Sequence, residues 1–148
     1  MSGVPKGKRT ESSFKVFDNA IALRKELTQY ILKDMAVTGK LSEVGLDVLK
    51  EERKEILDDA RNIISCIEQA NSFYVIYDSE LEARRTYQDL ALGYCARLKC
   101  ELNYICDNYS TKINMKKYGI SSTMVDEEIG LIKAWRRSNK KIQKKLKK

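Results

Sequence analysis

The sequence predicts an all-α protein, an antiparallel four-helix bundle of the up-and-down kind. Three observations point there. The single proline, Pro5, precedes every periodic segment. The seven glycines avoid those segments apart from Gly93 and Gly130, and no stretch alternates polar and apolar residues over a useful length. Apolar residues instead recur at helical spacing through most of the 148 residues, a length that suits one domain with its own core.

The first helix is expected to begin near Ser12 or Ser13, either of which can cap it, and to end before Gly39. Residues 1–12 read as a basic arm ahead of a single domain, 13–148. Phe17, Ala20, Ile21, Leu27 and Ile31 form the stripe of this helix. The loop "VTGKLSEVG" follows, and the second helix starts somewhere in 42–50 and runs to about Tyr77. Its stripe is Leu49, Ile56, Ala60, Ile63, Ile67, Ala70 and Tyr74.

In "YDSELE", Ser79 and Glu82 have the spacing of a capping box. A turn of two or three residues there folds the second and third helices into an antiparallel hairpin. The third helix carries Ala83, Tyr87, Leu90, Ala91, Tyr94, Leu98, Leu102 and Ile105. "DNYSTKINMKKYGIS" reads as a long connection, with Thr123 and Asp126 capping the fourth helix. Asn71, Ser72 and Gln88 cluster near the hairpin, where they either satisfy one another or face a second subunit.

Charge is unevenly placed. Trp135 is followed by eight cations and no acid, and residues 1–9 add Lys6, Lys8 and Arg9. The stretch 10–135 holds 17 cations against all 21 acids. A mildly acidic body with basic ends fits an anionic partner, nucleic acid or an acidic membrane surface; it also fits a tail that only aids solubility.

The arrangement of the tail narrows this. On a helical wheel, Met124, Leu131, Ile132, Ile142 and Leu146 fall within about 60° of Trp135. Lys133, Arg136, Arg137, Lys140, Lys141, Lys144, Lys145, Lys147 and Lys148 take the arc from about 100° to 280°. A solvated tail has no reason to sort its residues so. The tail therefore reads as the last turns of the fourth helix with a cationic outer face, whose repeat of about 5.4 Å suits a phosphate backbone. Without further tail aromatics, the contact should be salt-sensitive and weakly sequence-specific, to RNA or DNA. Arg84, Arg85 and Lys99 offer a second anion contact, or else pair with acids of the second helix. Glu128 interrupts the apolar stripe for no reason legible in the sequence.

No active site is apparent, and an enzyme is not expected. There is no histidine, the usual base near neutral pH. Asp58–Asp59 and Glu51–Glu52 are adjacent pairs that read as solvated faces. No phosphate-binding glycine loop or nucleophile elbow occurs. Cys66, Cys95, Cys100 and Cys106 lack metal spacing and read as reduced core or near-core residues; no metal or cofactor is expected. Tyr74, Tyr77, Tyr87 and Tyr94 read as core-edge residues. "MSGVPKGKRTESS" has no apolar run and no window approaches a membrane span, so a cytoplasmic protein is expected.

Four segments carry a family resemblance: "KRTES" (8–12), "ANSFYV" (70–75), "RRTYQDLAL" (84–92) and "EEIGLIKAWRRSNKK" (127–141). The chain resembles, over roughly 8–142, the four-helix-bundle family of accessory variability determinants of diversity-generating retroelements; ribosomal RNA intervening-sequence proteins are more distant relatives. It departs at "SEVGLDVLKEERKEI", longer and more acidic than the family's segment there. The resemblance implies a homopentameric ring and a nucleic-acid-binding basic surface. It also implies association with the element's reverse transcriptase, and no catalytic residues.

The function expected from the sequence is thus a non-catalytic nucleic-acid-binding accessory protein, using Arg136, Arg137, Lys140, Lys141, Lys144, Lys145, Arg84 and Arg85. The alternative is a protein-interaction scaffold, or an intervening-sequence-type bundle, without a direct nucleic-acid role.

Overall fold

A computed structural model describes residues 11–31 and 34–146. The architecture is the expected all-α four-helix bundle: α1 (Glu11–Glu26), α2 (Glu43–Asn71), α3 (Asp78–Tyr109) and α4 (Met115–Gln143). A wider π-helical turn, Leu27–Ile31, prolongs α1. Each helix packs on the next, and α1 closes the ring against α4.

The buried positions of α3 are Leu81, Arg84, Gln88, Ala91, Cys95, Leu98, Leu102 and Ile105. Those of α4 are Tyr118, Ser121, Val125, Glu128, Ile132, Trp135 and Asn139. Both series alternate steps of three and four. That repeat keeps one edge of a helix facing its neighbours along its length, the geometry of bundles crossing near 20°. The register also removes some expected core residues. Leu90 and Ile21 are exposed, since each falls off the repeat that the rest of its helix follows, and Tyr74 is exposed because it lies beyond the end of α2.

The helix ends differ from expectation in instructive ways. Ser12 and Ser13 lie within α1 rather than ahead of it, and the last two residues of the expected arm, Glu11 and Ser12, belong to the helix; residues 1–10, Lys6, Lys8 and Arg9 included, fall outside the described residues. α2 stops at Asn71, six residues short of Tyr77, where Ser72 turns its backbone N–H to Gln69 O. The hairpin connection is residues 72–77 rather than a two- or three-residue turn. α3 is capped at Tyr77, not Ser79: Glu80 Oε1 accepts from both Ile76 N and Tyr77 N at 2.9 Å, a carboxylate serving two orphan donors at a helix start.

α4 begins at Met115, well before Thr123, because Asn114 Oδ1 accepts from Lys116 N at 3.1 Å. Thr123 donates its hydroxyl back to Gly119 O, and Asp126 Oδ2 accepts from Lys99 Nζ at 2.6 Å, so neither caps. The expected long connection is therefore residues 110–114.

Two connections meet at the far end of the bundle. Val37 pairs antiparallel with Ile113, Thr38 N donates to Lys112 O (2.8 Å), and Asn114 N to Ala36 O (2.7 Å). Met35 and Ala36 hold positive φ, 58° and 53°, a region that costs residues bearing a Cβ. Three bonds hold the strained turn: Asp34 Oδ1 accepts from Ala36 N, Asn114 donates to Ala36 O, and the buried Tyr118 hydroxyl donates to Met35 O at 2.7 Å.

At the start of α2, within the range expected, Ser42 Oγ accepts from Gly45 N at 3.0 Å. Ser42→Ala is expected to cost about 1 kcal/mol through loss of that cap, read as a lower urea midpoint with unchanged slope.

Candidate nucleic-acid interface

Helix α4 does not break at the indole. Trp135 is fully buried and the helix runs on to Gln143. One turn beyond the tryptophan, Asn139 Nδ2 donates to Gln88 Oε1 at 2.7 Å, with both side chains buried. This single bond ties α4 to α3, while Gln88 Nε2 and Asn139 Oδ1 stay buried without a partner; a buried polar contact of this kind holds register more strictly than an apolar one does. Gln88 thus pairs with α4, rather than with Asn71 and Ser72 or outward toward a second subunit, the two alternatives the sequence offers. Ile142 and Leu146 then line a groove together with Val75 and Ile76 of the hairpin connection.

With that edge held, Lys133, Arg136, Arg137, Lys140, Lys141, Lys144 and Lys145 are all exposed. Among the described residues, Arg137, Lys140, Lys141, Lys144 and Lys145 make no ion pair. Lys147 and Lys148 fall outside the described residues. Cations in the last turn also offset the negative end of the helix dipole, by about 0.3–1 kcal/mol each. That effect fades within one turn and does not reach Arg137.

Arg136 differs from its neighbours. Its Nε and Nη2 both reach the carboxylate of Asp89 on α3, at 2.6 and 3.3 Å. Both partners are about half exposed, so the pair contributes at most about 1 kcal/mol. A phosphate would have to displace Asp89 to use this arginine.

The second expected anion contact is drawn into the bundle. Arg84 is only 7 % exposed and donates from Nη2 to Phe73 O at 3.1 Å. Burial pushes its guanidinium below the usual arginine range. It is not part of an exposed cationic face, because it occupies the buried step between Leu81 and Gln88. Arg85 is half-buried, donates to Gln143 Oε1 at 3.0 Å and lies 3.7 Å from Glu82 Oε1. Lys99 is taken by Asp126, an acid of α4 rather than of α2.

Asn19 Nδ2 donates to Met124 O and to Glu128 Oε1 at 3.1 Å. With Met35 and Val37 meeting Tyr118 and Ile113 at the other end, this contact shows α1 antiparallel to α4, so the start of α1 lies at the pole where α4 finishes. The hairpin connection reaches the same pole. Sequence reasoning missed its surface: Tyr74 and Tyr77 are 45 % and 51 % exposed, with Ile76 between them at 38 %. The run "FYVIY" carries no helical period, and that was the available signal. Tyr87 and Tyr94 are half-buried, at the edge of the core as expected.

The acids also depart from expectation. Asp59, read as solvated, is 1 % exposed, with Arg97 Nε 3.6 Å from its Oδ1. It lies against Glu101, whose carboxyl is pushed up to about 8, first by burial and then by Asp59. Asp59 itself is raised, burial being the largest cause. Two carboxyls so placed hold a proton between them more readily than two charges. Glu128 is fully buried.

The cysteines form no disulfide; Cys66 and Cys95 are buried and Cys106 is half-buried, but Cys100 is exposed, against expectation. Among the described residues, no group of three or more Cys, Asp or Glu is placed to hold a metal ion, and no helix is long and apolar enough to cross a membrane.

No family model matches the chain, and neither a curated protein nor a solved structure is similar enough to count as a match.

Proposed function

We propose that the protein is a non-catalytic nucleic-acid-binding accessory protein that engages phosphates through the outer face of α4. One observation carries this reading: the helix continues through Trp135 with its apolar edge held by the bundle, so its cations project from a stiff support in repeating order. A preset array of cations releases counterions without first having to order a tail. The family resemblance adds a finer reading, in which several copies assemble beside a reverse transcriptase. Assembly would multiply a weak contact per chain through effective concentration.

The test is a five-fold neutral variant: Arg137→Gln, Lys140→Gln, Lys141→Gln, Lys144→Gln and Lys145→Gln. It is cleaner than removing residues 136–148, which would also take away the buried Asn139. Wild-type affinity for RNA or DNA is expected to fall about 10²- to 10³-fold between 50 and 200 mM salt, as about five phosphate contacts require. The variant should keep its helical circular dichroism and lose most binding and most of the salt slope. Equal binding by the variant would refute the reading.

A second reading, the protein-interaction scaffold, is favoured by one feature. The outer face of α3 carries an open apolar groove lined by Thr86, Asp89, Leu90, Gly93, Tyr94 and Arg97. A shallow salt slope together with tight capture of one protein partner would favour it.

A further inference from the structure

The surface that shares a pole with the α4 cations is aromatic, and it is built rather than loose. Phe73 stacks on Tyr87, with ring centroids 6.1 Å apart and planes at 22°. The carbonyl of the same Phe73 accepts from the buried guanidinium of Arg84. Burying a charge costs less when it is hydrogen-bonded, and here the bond ties down the hairpin connection. At the other end of that connection, Glu80 fixes the N–H groups of Ile76 and Tyr77. Along this anchored stretch Tyr74 and Tyr77 are each about half exposed, and they flank in sequence Val75 and Ile76, which line a groove of about 270 Å³ with Ile142, Lys145 and Leu146. Lys141 lies one turn back from Lys145 on the same face of α4.

Exposed aromatic faces next to a row of cations match the chemistry of a single strand. Its unpaired bases offer π-faces, whereas a duplex hides its own in the stack. We infer that the nucleic acid taken is single-stranded, its bases stacking on Tyr74 and Tyr77 while Lys141 and Lys145 hold the adjoining phosphates. This rests on the reading of the α4 face as a phosphate-binding surface and deepens it.

An anionic membrane is the competing occupant of an apolar, cationic surface. The connection fits it less well. Asp78 directly follows Tyr77 and is exposed, so insertion deep enough to bury the rings would drag a carboxylate from water. Stacking needs only the ring faces and leaves Asp78 solvated.

The experiment compares fluorescence anisotropy of a labelled oligothymidylate, a duplex of equal length and an abasic strand of equal length, each at low salt. Wild type should bind the oligothymidylate more tightly than either of the others. The pair Tyr74→Ala and Tyr77→Ala should weaken oligothymidylate binding about ten-fold or more, leaving duplex binding and the melting temperature unchanged. The pair Tyr74→Phe and Tyr77→Phe, which keeps the rings, should bind like wild type. Equal affinity for strand and duplex, with the alanine pair unchanged, would overturn the stacking inference and leave the phosphate reading standing. No binding to any of the three would overturn both. Sedimentation with phosphatidylserine vesicles that depends on the two tyrosines, without a preference for the single strand, would assign the surface to membrane instead.

Discussion

Trp135→Ala is expected to lower stability by about 3–5 kcal/mol, the usual range for emptying a fully buried large aromatic site. The ring is the largest fully buried side chain in the protein, and it sits on the core edge of α4 where the row of cations begins. Total stabilities of single domains are about 5–15 kcal/mol, so one substitution removes a large share. For a chain of this size the melting temperature should fall by roughly 10 °C. Urea unfolding followed by circular dichroism at helical wavelengths measures it, with Arg137→Ala, an exposed neighbour, expected within about 0.5 kcal/mol of wild type. A loss below about 1 kcal/mol would mean that the indole is not held by the core, and the support for the cationic face would go with it. As the only tryptophan, Trp135 also reports directly: wild-type emission should be blue-shifted and resist quenching by iodide.

Glu128→Gln is expected to do the opposite, raising stability above neutral pH. Glu128 lies on the core edge of α4, fully buried. Its Oε1 accepts from Asn19 on α1, and its Oε2 has no partner. Burial pushes its carboxyl from 4.5 up to about 8; the Asn19 bond pulls the other way and Glu127 adds to the rise. Across the core on α3, Cys95 faces it, its own thiol pushed up by burial and then by Glu128.

The sign follows from proton counting. Below about pH 4.5 the carboxyl is protonated both folded and unfolded, and contributes no pH dependence. Between 4.5 and about 8 the folded chain keeps a proton that the unfolded chain has released. Stability therefore falls as pH rises through that window, by on the order of 1 kcal/mol per pH unit. Glu101 shifts in the same direction, so the wild-type slope carries a contribution from each. Glutamine keeps the acceptor for Asn19 and has no charge to bury. The variant should match wild type near pH 4, exceed it by a few kcal/mol near pH 9, and show a shallower slope between. Urea midpoints across that range test it. A wild type whose stability rises with pH from 5 to 8 would contradict this account of Glu128.

Both residues show how far the sequence could be read. Trp135 on an apolar stripe was legible, because Leu131 and Ile132, four and three residues before it, are apolar too. Glu128 obeys the same steps, from Val125 to Ile132, yet a carboxylate there looks like an interruption. Only the packing of α1 brings Asn19 to it. Arg84 and Arg85 show the same limit. As neighbours they read as one cationic pair, but adjacent helical residues point about 100° apart. Register then turned one inward to Phe73 and left the other half-exposed. The end of α2 and the starts of α3 and α4 differ from expectation because the caps lie in polar or apolar runs that conceal them: Asn114 amid "STKINMKK", Ser72 ahead of "FYVIY".

By itself, the amino-acid order determined the helical class, the number of helices and the sorting of cations against an apolar edge in the tail. These are periodicities, and the 3.6-residue turn converts them into faces without reference to the rest of the chain. The tertiary structure alone decided which polar groups went inside, which cations stayed in solvent and that two tyrosines share a pole with them. Those outcomes depend on what another helix places opposite, and spacing along one helix carries no information about its neighbour.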